Sequence, residues 1–202
     1  AVEFYQQAQK SGIKPILGIE AYISPTTRTD KSMGSQREAC YHLILLAMNA
    51  TGWLNLKRLS SRAFLEGFYY RPRVDRELLS QLSEGIICTS ACLGGEIPNA
   101  LMNGNYEKAL HIAGEYADIF GKDRFFIEIQ NGGIDEQAKV NPDLLKIAGE
   151  IGVGTVGTND VHFVSREDKP SHEVLCCVST GKTLDEERQA IESGKKKAAY
   201  TE

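Results

Sequence analysis

The sequence contains 202 residues, the length of one domain of ordinary size, and this excludes a second full catalytic domain. Hydrophobic residues make up 42% and charged residues 25% of the chain, so the composition is that of a folded protein and excludes a disordered one. The 23 Lys and Arg residues are outnumbered by 27 Asp and Glu residues, and the net charge of -4 excludes an overall basic field, so any contact with DNA or RNA must be local.

The first half of the sequence alternates between helical and extended patterns. Apolar and polar residues at helical spacing run from Ala1 to a closing glycine, Gly12, and no initiator Met or capping residue precedes them. We therefore expect the chain to begin inside a helix and to be a fragment of a longer protein. The patterns that follow predict, in order, a buried strand at 14–23, a loop at 24–38, an apolar strand at 41–48 and a helix at 51–66.

The alternation continues to the last predicted helix. Asp75 can cap a short helix that ends near Leu82. A capping-box spacing at 165–168 starts a final helix that continues through Val178. Between them the patterns predict a strand at 85–90, a helix at 105–120, a strand at 124–130, a helix at 142–151 and a strand at 154–158. Strands separated by helices predict a parallel α/β sheet with both faces covered, either open or closed as a barrel.

The ends of the chain and its cysteines predict the domain limits and the setting. We expect one partial domain at 1–185, followed at 186–202 by a linker or the start of another region, because the end is polar and lysine-rich. The longest apolar run, at 43–48, is far shorter than the ~20 residues that span a bilayer, so no membrane contact is expected. Five cysteines without a repeated CxxC spacing favour a reducing, cytoplasmic setting.

Three residues with carboxylate or imidazole side chains lie in or next to two of the predicted strands. Asp160 and His162 follow the strand at 154–158, and in an extended chain both side chains point to the same side. An Asp-x-His pair can chelate one metal ion, although a capping Asp beside a surface His gives the same pattern. Glu20 lies inside an apolar strand, where an unpaired carboxylate costs several kcal/mol, so it needs a metal ion or an Arg or Lys partner.

Two further candidates lie next to other predicted strands. His42 immediately precedes the apolar run at 43–48, where a buried core histidine is the alternative interpretation. Cys92 follows the strand at 85–90 and precedes a Gly-Gly pair that lets backbone approach a ligand closely; the alternative is a buried thiol. Glu, His, Cys and Asp side chains near four strands are the ligand types of zinc and related divalent metals. His111 and His172 lie on predicted helices and are expected to be solvated.

Four runs of the sequence, residues 12–22, 67–73, 92–98 and 158–162, resemble the PHP domain of the bacterial replicative DNA polymerase III alpha subunit, and the resemblance continues to about residue 185. It implies an α/β fold, a distorted TIM-like barrel of seven β/α units that holds up to three metal ions. It also implies that five residues match five of the nine metal ligands of the family: Glu20, His42, Cys92, Asp160 and His162.

The sequence also departs from the family pattern. The four other ligands of the family, a His-x-His pair, an Asp and a His, belong upstream of Ala1, so the resemblance implies a barrel truncated at its amino terminus. The usual Gln-Asn/Asp-His-Gly of the family reads Gln-Asn-Gly-Gly at 130–133. The cofactors implied by the resemblance are divalent ions, zinc or manganese first and magnesium as an alternative.

The function implied by the resemblance is metal-dependent 3′-to-5′ exonucleolytic proofreading within a DNA polymerase, with metal-activated water attacking a phosphodiester. Arg71 and Arg73, beside Tyr69 and Tyr70, could clamp phosphates and stack bases at a single-stranded DNA end, or could lie in a solvated loop. The implied partners are DNA, the rest of the polymerase chain and other replicase subunits.

Two other functions are compatible with the same residues. The domain could be a scaffold that braces the polymerase and contacts its partners without catalysis, or a free-standing PHP phosphoesterase. The fragment alone is expected to lack polymerase activity and to show little or no nuclease activity, because four ligands of the family set are missing.

Overall fold

The structure, a computed structural model, describes residues 1–34 and 40–193 and shows a mixed α/β protein. The strands are β1 Gly18–Ile23, β2 Tyr41–Ala47, β3 Phe68–Tyr69, β4 Arg71–Val74, β5 Ile86–Thr89, β6 Phe125–Gln130 and β7 Gly154–Thr158. The helices are α1 Val2–Lys10, α2 Ala50–Leu65, α3 Arg76–Leu82, α4 Glu96–Met102, α5 Tyr106–Phe120, α6 Asp135–Ile151, α7 Lys169–Thr180 and α8 Leu184–Glu192, with a 3-10 turn at Arg166–Asp168. Among these residues, none of the helices is long and apolar enough to cross a membrane.

The strands form one sheet in the order β3-β4-β1-β2-β5-β6-β7. β1 runs parallel to β4, and β5, β6 and β7 run parallel to one another. β2, however, is antiparallel to both β1 and β5, and β3 is antiparallel to β4. Within the described ranges the two edge strands β3 and β7 do not pair, so the sheet is open there and the implied seven-stranded barrel is not seen. Because β2 and β3 are antiparallel to their neighbours, the prediction of a parallel sheet is wrong.

The reversal at β2 follows from the connection that precedes it. A parallel neighbour requires a crossover, usually a helix, whereas β1 and β2 are joined by a segment whose described part, residues 24–34 and 40, contains no helix. β2 can thus return directly along β1, and Tyr22 pairs with His42. The predicted loop at 24–38 agrees with the structure as far as residue 34, and residues 35–38 lie outside the described part.

Several element boundaries differ from the sequence-based expectation. α6 begins at Asp135, and Pro142 lies inside it instead of opening it, because the first turn is started by the acidic pair Asp135 and Glu136. The capping box at Ser165 is confirmed, since Asp168 accepts from the Ser165 backbone N–H over 3.0 Å. α8 occupies 184–192, and the linker residues 194–202 lie outside the described part. The domain limit at 185 stays a prediction.

Because side chains alternate along a strand, one face of the sheet packs against the core and the opposite face is available for a functional site. Leu43 and Leu45 of β2 pack in the hydrophobic core with Leu56 and Leu59 of α2. His42, one residue away, belongs to the opposite face, because successive side chains of a strand point to opposite sides. Burial of the leucines therefore places the imidazole outside the helical layer.

A close approach of two glycines fixes α2 against the turn before β5, and it supports a stability prediction. A Cβ added to Gly52 would lie 1.8 Å from the Gly85 carbonyl oxygen, whereas one added to Gly114 in α5 meets nothing within 4 Å. We expect Gly52→Ala to lower the free energy of unfolding by about 2 to 3 kcal/mol through overpacking. Gly114→Ala should raise it by about 0.5 to 1 kcal/mol through helix propensity. Urea unfolding monitored by circular dichroism measures both, and equal effects of the two substitutions would contradict the close approach.

Candidate metal centre

Glu20 of β1 and His42 of β2 meet on the face of the sheet opposite the core. Their strands are antiparallel neighbours, and His42 Nδ1 lies 3.4 Å from Glu20 Oε1. Both side chains remain partly exposed, so a ligand can reach them from solvent. The carboxylate that the sequence left without a partner inside an apolar strand thus lies beside an imidazole.

Cys92 reaches the same imidazole from the segment that follows β5. Its Sγ lies 3.5 Å from His42 Nδ1. The His42 backbone N–H donates to the Gly94 carbonyl oxygen over 2.9 Å, which holds the segment against β2. A Cβ on Gly94 would lie 2.8 Å from His42 Nδ1, so the glycine permits this approach. The sequence predicted that the Gly-Gly pair lets backbone approach a ligand closely; in the structure the group that Gly94 approaches is the His42 side chain.

Asp160 and His162 form a second pair beyond the end of β7. Asp160 Oδ1 and His162 Nε2 are 3.6 Å apart, and Asp160 has a φ of 49°, in the left-handed region that non-glycine residues rarely adopt. A cavity of about 330 Å³ lies against this pair, and its other wall includes Asn131, Gly132 and Gly133. The run that departs from the family pattern therefore faces the predicted ligands.

His172 of α7 was expected to be solvated, and the structure places it near the second pair instead. Its ring centroid lies 5.7 Å from that of His162 and 5.3 Å from that of Phe163. The side chain is half-buried. A single helical histidine gives no sequence signal for such a contact, because the contact depends on how α7 folds back toward the segment after β7.

The electrostatics link the two pairs of candidate ligands. Burial is the main cause that raises the pKa of the Cys92 thiol to about 11, and the charges of Asp160, Glu20 and Glu128 raise it further. The negative charges of carboxylates from both pairs therefore act on the Cys92 thiol. A cation placed among these carboxylates would be stabilised and would favour the thiolate over the thiol.

The distances from His42 to Glu20 and to Cys92 fit a zinc-like ion. From metal–ligand bond lengths, two ligands of tetrahedral zinc lie about 3.4 Å apart for nitrogen and oxygen and about 3.5 Å apart for nitrogen and sulfur. The distances from His42 Nδ1 to Glu20 and to Cys92 are 3.4 and 3.5 Å. Within residues 1–34 and 40–193, however, no group of three or more His, Cys, Asp or Glu side chains forms a metal site. The donor chemistry and the two pairwise distances fit a divalent ion, and Glu20 and Cys92, which each contact His42, would have to move before all three could bind it together.

Arg73, predicted from the sequence as a phosphate contact, is fully buried. Its guanidinium donates to the carbonyl oxygens of Gly67, Arg28 and Asp30 over 3.1, 3.0 and 2.5 Å. Its guanidinium carbon also lies 5.1 Å from the centre of the Tyr69 ring. This placement joins the β3-β4 hairpin to the loop after β1 and does not offer the group to a DNA phosphate.

Arg71 is exposed and lies near the first pair of candidate ligands. Its guanidinium carbon is 5.4 Å from the centre of the Tyr22 ring, and the Tyr22 and His42 ring centroids are also 5.4 Å apart. Tyr70 is about half exposed and has a φ of 60° at the turn of the hairpin. Of the two predicted arginines, the structure brings only Arg71 to the open face near His42.

Glu128, whose side chain is buried, is not among the residues predicted from the sequence. Glu128 follows the same rule as Glu20, because it lies within the largely apolar strand β6. Applying the cost of an unpaired buried carboxylate to every strand would have found it. Glu128 and Cys92 line the same small cavity of about 10 Å³.

Comparison with known proteins identifies the family of the chain. The sequence profile of the PHP domain matches residues 1–132. Three curated relatives, each called DNA polymerase III subunit alpha, are 45% identical in Borreliella burgdorferi, 49% in Thermus aquaticus and 45% in Treponema pallidum, over 96%, 92% and 90% of this chain. The chain spans only 17%, 15% and 16% of the lengths of these relatives.

Proposed function

The chain belongs to the PHP domain family, and we propose that it is the metal-binding PHP region, residues 1–185, of a bacterial replicative DNA polymerase alpha subunit. Its curated relatives, each called DNA polymerase III subunit alpha, support the polymerase assignment. In this proposal the rest of the polymerase chain and other replicase subunits are its partners, and the protein acts in the cytoplasm.

The observation that carries the metal-binding part is the position of His42. Its Nδ1 lies within 3.5 Å of both a carboxylate oxygen and a thiol sulfur, which come from different parts of the chain. His42, Glu20 and Cys92 would hold one divalent ion, zinc or manganese, and Asp160 and His162 would hold another. A bound ion would supply Lewis-acid polarisation of water and of a phosphoryl oxygen.

The proposed reaction is hydrolysis of the terminal phosphodiester at the 3′ end of single-stranded DNA. Arg71 would contact a backbone phosphate beside the site, with Tyr70 as an exposed aromatic surface for a base. Such a contact is local, as the net charge of -4 requires. Asp160 and His162, which line their cavity, would hold the second ion, and that ion would supply stabilisation of the charge on the leaving oxygen.

A second candidate function is a scaffold that binds metal for stability or not at all. The observation that favours it is that the described residues contain pairs of ligand-type side chains and no group of three. A zinc ion held firmly usually has three or four protein ligands. In this alternative the domain braces the polymerase and the metal has no catalytic role.

An assay of single-stranded DNA digestion separates the two candidates. We expect the 202-residue chain to release 3′-terminal nucleotides at or near background. Two-metal hydrolysis needs two ions held roughly 4 Å apart, and the described residues contain no three-ligand site that would hold even one of them firmly. A chimera that adds the preceding segment of the Thermus aquaticus relative should digest the strand when manganese or zinc is present. In the chimera, Asp160→Asn should lower the rate by about 100-fold or more, and the exposed control Asp185→Asn should leave it unchanged. A chimera that binds metal without digesting DNA would favour the scaffold.

A further inference from the structure

A buried carboxylate lies between the two strands that lead to Cys92 and Asp160. Glu128 of β6 is only 6% exposed. One of its oxygens accepts from the Thr89 hydroxyl, and the other accepts from the Thr158 hydroxyl. The Gln130 side-chain amide donates to that second oxygen over 2.9 Å. Both carboxylate oxygens are thus occupied by donors of the protein, so Glu128 is not itself placed as a metal ligand.

The two hydroxyls mark the ends of the strands on either side of β6. Thr89 is the last residue of β5, three residues before Cys92, and Thr158 is the last residue of β7, two residues before Asp160. The Glu128 backbone N–H also donates to the Ser90 hydroxyl over 2.9 Å. One residue therefore holds the starting points of both segments that carry candidate ligands.

Backbone strain occurs just beyond each of these hydroxyls. Ala91 has a φ of 61° and Asp160 a φ of 49°, although neither is a glycine. Residues in such conformations persist only where the surrounding structure determines them. Ala91 lies two residues after Thr89, and Asp160 two residues after Thr158, so the hydrogen bonds of Glu128 fix the chain where each strained turn begins.

We propose that Glu128 is a positioning residue that sets the distance between the Cys92 segment and the Asp160–His162 segment, so that both can bind divalent metal. This inference rests on the proposed function, since it assumes that these segments bind metal. Glu128 acts by accepting hydrogen bonds from Thr89 and Thr158. Its charge alone would not align the two strand ends.

Titration with cobalt tests this role, because cobalt replaces zinc and reports thiolate ligation by its absorption. We expect Glu128→Leu, which removes the acceptors, to weaken cobalt binding by about 10- to 100-fold. Glu128→Gln keeps the shape and an acceptor for Thr158, while its amide can donate to Thr89, so it should bind within about threefold of wild type. Titrations are run where circular dichroism shows each variant to be fully folded. Tyr116→Phe, which removes a buried hydroxyl bonded to Glu96 over 3.0 Å, is the control for a purely structural loss and should bind like wild type.

A second variant keeps the test valid if Glu128→Leu does not fold. The double variant Thr89→Val, Thr158→Val removes both donors, leaves Glu128 in place and should weaken cobalt binding about tenfold. Unchanged affinity and absorption in the Leu variant or the double variant would overturn the positioning role and leave the proposed function intact. Equal losses in the Gln and Leu variants would overturn it as well, because charge would then be the cause. Absence of cobalt binding by the wild-type chain would overturn the proposed function together with this inference.

Discussion

We expect Arg73→Met to lower the free energy of unfolding by about 4 kcal/mol, because three carbonyl oxygens, one buried and two partly buried, would lose a charged donor. Arg73 is fully buried, and its guanidinium donates to Gly67, Arg28 and Asp30. Methionine fills a similar volume without any donor. Urea unfolding gives the free energy, and the slope of the transition shows whether both proteins expose the same surface on unfolding.

The matched control is Arg71→Met on the same strand. Arg71 is exposed and stacks near Tyr22, so its loss should change stability by less than about 1 kcal/mol. In the active chimera, binding of single-stranded DNA should instead weaken in the Arg71 variant. If Arg73→Met left stability unchanged and reduced DNA binding, the phosphate contact predicted from the sequence would be right and the structural role wrong.

The two arginines show what the sequence could and could not reveal. An arginine in a polar, aromatic run is usually exposed, and only the fold shows that the Arg73 side chain points into carbonyls of a loop far earlier in the chain. The β3-β4 hairpin that carries them was not predicted either. Its turn residue, Tyr70, has a φ of 60°, where a sequence pattern would call for glycine.

The order of helices and strands was largely predictable, but strand direction was not. The apolar run at 43–48 identified β2, because apolar clustering depends only on burial. Its direction depends on the path of the preceding connection, which carries no periodic signal. α4 was not predicted either, because its seven residues are too few to show a clear helical pattern of apolar residues and include Pro98.

The candidate ligands were predictable one by one because each is a polar residue beside an apolar strand. The resemblance to the family implies that all five belong to one ligand set, but the sequence does not show which of them contact one another. The close contact of His42 with Glu20 and Cys92 depends on the antiparallel pairing of β1 and β2 and on the glycine at position 94. The structure places Glu20 and Cys92 each in contact with His42, without forming a three-ligand site, and shows Asp160 and His162 as a separate pair whose carboxylate acts electrostatically on Cys92.

We expect His42→Ala to weaken zinc binding by at least about 100-fold, because His42 is the side chain that both neighbouring ligands share. Its Nδ1 lies 3.4 Å from Glu20 and 3.5 Å from Cys92, so its removal breaks both contacts at once. Isothermal titration with zinc measures the affinity. Cys92→Ser should have a smaller effect, since one contact is lost and the pair of His42 with Glu20 remains.

The control for nonspecific histidine effects is His111→Ala. His111 also lies beside a carboxylate, 3.7 Å from Glu115, but its side chain is 76% exposed on α5. An exposed His–Glu pair one helical turn apart provides two ligands and no third, so its loss should leave the zinc affinity unchanged. If His111→Ala weakened binding as much as His42→Ala, zinc would bind at the surface of α5. The contacts of His42 with Glu20 and Cys92 would then not form the metal centre. A loss confined to His42→Ala would locate the ion between β1, β2 and the segment after β5, where the carboxylate, imidazole and thiol meet.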